Sequence, residues 1–138
     1  MNLKDKESLI KSALEARKSS YCPYSGFAVG AALLTDDGEI FTGTNVENSS
    51  YTPTVCAERV AFFKAVSEGH RRFSAIAIVG GNKNYDVCEF CPPCGVCRQV
   101  MAEFADDDFM IILFDGNEEK IFSLEELLPL KFDKNNLN

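Results

Sequence analysis

Four of the six cysteines in this 138-residue chain stand in one run, CEFCPPCGVC, at positions 88–97. Cys88, Cys91, Cys94 and Cys97 recur at every third position. Such a run can hold an iron–sulfur cluster, a closed zinc site or a redox dithiol, or it can hold nothing. Its two prolines divide it. Pro92 disfavours helical geometry at Cys91, and Pro93 does the same at Pro92. Proline is tolerated in a first helical turn, where its missing N–H is not needed. Cys94 and Cys97 then lie one turn apart on the same face of a starting helix. Free N–H groups and the helix dipole there favour thiolates. Cys88 and Cys91 lie upstream in a loop and need not face the same point.

A catalytic zinc takes three protein ligands and keeps a fourth position open. Cys94 and Cys97 therefore need one partner. The best candidate is Cys56 in TVCAERVAFF, at the start of another predicted helix. If the two helices pack with their N-termini together, three thiolates meet at two positive helix ends. Glu58, two residues after Cys56, then reaches the open position as a proton carrier rather than a ligand. Three thiolates overcompensate the charge of one zinc ion. Arg59 is suited to offset the excess by donating to sulfur. The rival reading makes the four-cysteine run a structural zinc or iron–sulfur module. It leaves Cys56 and Glu58 unexplained and puts prolines among the ligands.

The elements that must position these groups follow from periodicity. Residues 4–19 read as an amphipathic helix, with Leu9, Ile10, Ala13 and Leu14 at helical spacing. Segments 27–35 and 39–46 are extended, and the Asp-Gly between them predicts a hairpin. ENSSYTPT at 47–54 is a polar loop. A helix is expected over 55–69, capped by Thr54 and closed by Gly69. An apolar strand follows at 73–81, then an irregular stretch. A third helix starts near Pro93. FMIILFD and KIFSL supply two more strands, and 123–129 a short helix with Ser123 at its cap. The order α-β-β-α-β-α-β-β-α predicts an α/β fold. It is a single three-layer α-β-α domain over residues 1–138, with a mixed five-stranded sheet and helices on both faces.

Bulk properties narrow the function. The composition, 46% hydrophobic and 25% charged, is that of a globular protein. A formal charge of −7 argues against a nucleic-acid partner. HRR at 70–72 is the tight basic cluster and reads as a solvated loop. No segment approaches the roughly 18 apolar residues of a membrane span, so no membrane partner is expected. The start lacks an apolar signal core, which predicts a cytoplasmic protein. In a reducing compartment cysteines serve as ligands, reactive thiols or buried filler rather than disulfides. Cys22, beside Pro23, is expected to be buried filler. His70, with no partner at ligand spacing, is expected at the surface.

CAE followed at a distance by PCGVC resembles the zinc-dependent cytidine deaminase family, whose pattern is a His or Cys ligand, a Glu that is not a ligand, and then P-C-x-x-C. The similarity covers almost the whole chain. YCPYSGFAVGAALLT is similar to the family's opening segment and GTNVENSSY to its ribose-recognition strand and loop. CAERVAFFKAVSEG and CGVCRQVMAEF resemble its two zinc helices, and LEELLP its closing segment. Within the family the likeness is to the small, all-cysteine, usually homotetrameric enzymes. The family usually has serine where this chain has Pro92. Cys88 and Cys91 fall outside the pattern and read as incidental loop thiols.

The resemblance implies one Zn²⁺ per chain on Cys56, Cys94 and Cys97. It implies hydrolytic deamination of free cytidine and 2′-deoxycytidine, as in pyrimidine salvage. Zinc lowers the pKa of water, and Glu58 carries protons to N3 and then to the exocyclic amine. It further implies that Asn45 and Glu47 bind the ribose 3′-hydroxyl, that Phe27 walls the site and that the Ala57 backbone holds the pyrimidine edge. Tyr51 and Phe132 would reach into a neighbouring subunit's site. Two relatives in function compete. A nucleic-acid-editing deaminase usually has one His and two Cys ligands and needs a basic groove. A deaminase of a modified nucleoside antibiotic should have an altered NVEN.

Overall fold

A computed structural model describes residues 2–137. Helix α1 spans Leu3–Arg17, strands β1 and β2 span Phe27–Thr35 and Ile40–Thr44, and α2 spans Ala57–Ser67. Strand β3 is Phe73–Asn82, α3 is Gly95–Phe104, β4 and β5 are Met110–Phe114 and Glu119–Ser123, and α4 is Leu124–Leu127. A 3₁₀ turn at Lys134–Leu137 ends the described chain.

The strands form one sheet in the order β2-β1-β3-β4-β5. The β3–β4 pair is parallel and the other pairs are antiparallel. The parallel pair needs a crossover, and α3 supplies it. The sheet is mixed and five-stranded, as expected. Alternate strand residues serve opposite layers. Val29, Ala31, Leu33, Ile76, Ile78, Ile111 and Leu113 face α2 and α3, with Ala61, Phe62 and Met101. Ala32, Leu34, Ala75, Ala77, Val79 and Ile112 face α1, with Leu9, Ile10 and Ala13. This double burial explains why β1 and β3 read as continuous apolar runs.

Helix α2 reaches the sheet through a glycine. A Cβ added at Gly43 of β2 would lie 2.2 Å from the Ala57 carbonyl oxygen and 2.6 Å from the Ala61 nitrogen. Both are backbone atoms and neither can step aside alone. Gly43→Ala is therefore expected to push α2 off the sheet and destabilise the protein by about 1–3 kcal/mol or more. Gly95 of α3 is the control, because nothing lies within 4 Å of its added Cβ. Gly95→Ala should be neutral or slightly stabilising. Urea midpoints of the two variants check the contrast.

Several expectations need correction. Strand β2 ends at Thr44, so Asn45 and Glu47 lie beyond it. Val46 makes isolated bridges to Tyr21 and Val55 instead. Thr54 does not cap α2, whose N-cap is Cys56 with no side-chain cap bond. The Thr54 hydroxyl accepts from the Asn48 N–H at 3.0 Å and shapes the preceding loop. Ser123 does cap α4, through a full capping box with Glu126. His70 is half-buried rather than solvated. It pairs with Glu39 at 2.7 Å and packs on Phe41, with ring centroids 5.0 Å apart. The hairpin turn brings Glu39 to it, and that approach leaves no trace in local spacing. Cys22 is buried, as expected.

Candidate metal centre and nucleoside pocket

Cys56 and Cys94 are the N-cap residues of α2 and α3. Cys97 is one turn into α3 and buried. The two helices start at one place, and the Cys56 and Cys94 sulfurs lie 3.7 Å apart. The sulfurs of Cys56, Cys94 and Cys97 all lie within 4.8 Å of one another. A tetrahedral zinc with bonds of about 2.3 Å to sulfur separates its ligands by about 3.8 Å. The three thiols fit that ion. Cys88 and Cys91 are outside the group. They precede the double proline, in the irregular segment before α3.

The thiols already behave as a metal-ready set. A hydrogen bond with Cys97, then Arg59 and Cys94, hold the Cys56 thiol down to about 5. The interaction with Cys56, and burial after it, push the Cys97 thiol far up. Arg59 Nη2 donates to Cys56 Sγ at 3.4 Å. Its Nε is buried with no partner among the described residues. Removing this cation leaves the thiolates uncompensated. Arg59→Ala is expected to weaken zinc binding by about 10–100-fold, with Arg59→Lys intermediate. Competition with a chromogenic chelator measures it.

Glu58 sits in the first turn of α2 with only 4% of its surface exposed. Burial pushes its carboxyl up to about 7, and the nearby Cys56 charge adds to the rise. A carboxyl titrating near neutrality can both take and give a proton. Ala57 beside it is fully buried. As the first helical residue it has an N–H without an intrahelical partner.

The expected sugar contacts sit together but are already engaged. Asn45 Nδ2 donates to the Phe27 carbonyl at 2.7 Å, and Asn45 Oδ1 accepts from the Val29 N–H at 2.9 Å and from the Ser20 hydroxyl. Glu47 Oε1 accepts from the N–H groups of Tyr24 and Ser25 at 3.0 and 3.1 Å, and Oε2 accepts from the Ser25 hydroxyl. These bonds hold the Glu47 carboxyl below its usual range, with Ser25 the main cause. Glu47 also lines a cavity of about 310 Å³ with Tyr24, Ser25, Asn48, Tyr51 and Thr54. Phe27 is not core, being 41% exposed. Tyr51 and Phe132 are exposed as well. Tyr51 adopts φ 62° without being glycine, a conformation its loop imposes through Asn48 and Thr54.

Three positioning residues had little signal in the sequence. Ser25 Oγ bonds Glu47 and accepts from the Phe27 N–H at 3.0 Å. Arg17 Nε donates to the Ala28 carbonyl at 2.9 Å, and its Nη2 donates to Asn82 at 2.8 Å. Arg98 ties the Pro93 and Leu127 carbonyls at 2.8 and 2.7 Å. Only Arg98 had a clue, its place beside Cys97.

Residues 3–113 match the family described as the cytidine and deoxycytidylate deaminase zinc-binding region. The chain belongs to that family. A protein named cytidine deaminase from Halalkalibacterium halodurans is 48% identical over 136 residues, 97% of this chain and 98% of the relative. The crystal structure of a cytidine deaminase from Burkholderia pseudomallei superposes with TM-score 0.85 at 42% identity, covering 96% of this chain and 100% of that one. A Bacillus cereus protein named blasticidin-S deaminase is 37% identical over 110 residues, 78% of each chain. Family membership supports zinc as the metal for which the three thiols are built.

Proposed function

We propose that the protein hydrolyses free cytidine and 2′-deoxycytidine to uridine and 2′-deoxyuridine, releasing ammonia, in pyrimidine salvage. The observation that carries this is one buried carboxyl, Glu58, beside three thiols gathered at two helix N-termini. Zinc held by Cys56, Cys94 and Cys97 supplies Lewis acidity that lowers the pKa of water. Glu58 takes a proton from the attacking water and delivers it to N3 of the pyrimidine. The water oxygen bonds to C4. Glu58 then takes the proton of the new C4 hydroxyl and passes it to the exocyclic amine, the C4–N bond breaks as the C4 carbonyl forms, and ammonia leaves. One carboxyl serves as base and then as acid.

The remaining residues orient the nucleoside. A carboxylate offers about four acceptor sites. Glu47 uses three of them on Tyr24 and Ser25, leaving one for the ribose 3′-hydroxyl. Asn45 keeps one free N–H for the same group. Phe27 forms the aromatic wall, and the Ala57 N–H holds the pyrimidine edge. An antibiotic with a modified sugar gives Asn45 and Glu47 no such task, which favours the plain nucleoside. Tyr51 and Phe132, exposed in the single chain, would find cover in a neighbouring subunit's site within a homotetramer. The net charge of −7 supports a small-molecule substrate over nucleic acid. No helix among the described residues is long and apolar enough to cross a membrane. A cytoplasmic location accords with a reducing environment for free thiols.

The test is zinc-loaded protein mixed with cytidine, followed by the absorbance change on conversion to uridine. Deoxycytidine, cytosine, blasticidin S and a cytidine-containing oligonucleotide form the panel. Turnover confined to the two nucleosides is the expected result. No turnover of either overturns the proposal.

A further inference from the structure

Cys91 is the one half-buried cysteine that the zinc site leaves unused, and it is not an incidental loop thiol. Its side chain packs on the core layer beneath α2 and α3. It also lies directly over Gly80 of β3. A Cβ added at Gly80 would meet Cys91 Sγ at 2.7 Å and Cys91 Cβ at 3.1 Å. The same added atom would meet Cε1 of Phe27 at 3.1 Å. Cys91 and Phe27 thus share the surface of one glycine. Backbone pairing fixes both neighbours. Gly80 bridges to Glu89, two residues before Cys91, and Phe27 pairs with Asn82. Burial and then the charges of Glu58, Cys56 and Cys94 raise the Cys91 thiol, so these groups lie in its neighbourhood. Cys91 thus neighbours Phe27 over Gly80 and stands in the vicinity of Glu58.

We propose that Cys91 is a wall residue of the nucleoside pocket, seated on Gly80 beside Phe27, and that its side-chain volume sets the fit of the pyrimidine against Glu58. The proposal rests on the deaminase reading and deepens it. It also gives Gly80 a reason to be glycine. Any side chain there displaces Cys91 and Phe27 together.

The experiment uses full-length, zinc-loaded protein. Cytidine KM and kcat, inhibition by uridine and zinc content are measured for Cys91→Leu, Cys91→Ala, Gly80→Ala and the double variant Gly80→Ala/Cys91→Ala. A misplaced methylene in a binding pocket changes selectivity by about 10–200-fold. Cys91→Leu is expected to raise KM and weaken uridine inhibition by at least about tenfold, with zinc near wild-type content. Gly80→Ala should do the same. The double variant should recover part of that loss, because removing Sγ clears the 2.7 Å contact while those with Cys91 Cβ and Phe27 at 3.1 Å remain. Cys91→Ala covers the case in which the larger side chain prevents folding, and it should shift KM a few-fold while kcat holds. Unchanged KM in folded Cys91→Leu and Cys91→Ala overturns the proposal. So does zinc loss in Cys91→Ala, which would make Cys91 a ligand. A failure of Cys91→Ala to relieve Gly80→Ala also overturns it. Wild-type protein inactive on cytidine removes the underlying reading itself, and that result is seen before any variant is made.

Discussion

Glu58→Gln is expected to abolish deamination while zinc stays bound. The substitution keeps the shape of the side chain and removes its ability to carry a proton. General acid–base catalysis by one group contributes about 10²–10⁴-fold, and Glu58 acts in more than one transfer, so kcat should fall at or beyond the top of that range. Zinc content should remain near that of wild type, because Glu58 is not among the clustered thiols. The fold should not suffer. A buried carboxyl near neutrality bears the desolvation cost of its charge, and a neutral amide does not. A melting temperature at or above wild type, together with lost turnover, separates chemistry from stability. Turnover that survives the substitution would remove Glu58 from the mechanism.

Most of the fold could be read from the chain because local signals and tertiary structure agree in it. The unbroken apolar runs in β1 and β3 meant strands covered on both faces, and both core layers are present. The zinc ligands could be read for a similar reason. Cysteines at helix starts carry a directional meaning that a cysteine in mid-helix lacks. The errors fall where nonlocal contacts decide. Asn45 falls in the segment expected to be extended, 39–46, and lies beyond the end of β2. Asn45 and Glu47 both also bond within the protein, Glu47 to the turn before β1 and Asn45 to Phe27 at the start of β1, which no periodicity reports. His70 had no partner in its own segment, and a hairpin turn over thirty positions away provides one. Cys91 falls outside the family pattern and has no signal of its own in the sequence. Its contacts with Gly80 and Phe27 come from the folded sheet, which alone places them beside it.

The division of the cysteine run is the sharpest consequence of the helix starts, and zinc stoichiometry tests it. Cys97→Ser removes a buried ligand and leaves two thiols, too few to hold the ion against dialysis. Zinc content is expected to fall from about one per chain to near zero, and activity with it. The protein should also lose the stability that the ion contributes. A metal present at 1,000 times its dissociation constant adds about 4 kcal/mol. At about 2–4 °C per kcal/mol for a domain near this size, the melting temperature should drop by roughly 10 °C. Cys56→Ser should behave alike, even though Cys56 lies outside the run. Cys88→Ser and Cys91→Ser should each keep zinc near one per chain. Cys88 is exposed and outside the cluster, and Cys91 is turned onto Gly80. A four-cysteine site would give the opposite pattern, losing metal at Cys88 and Cys91 and keeping it at Cys56. The two prolines make that pattern physically costly, because they hold the chain extended where a compact four-sulfur cage would need it to turn.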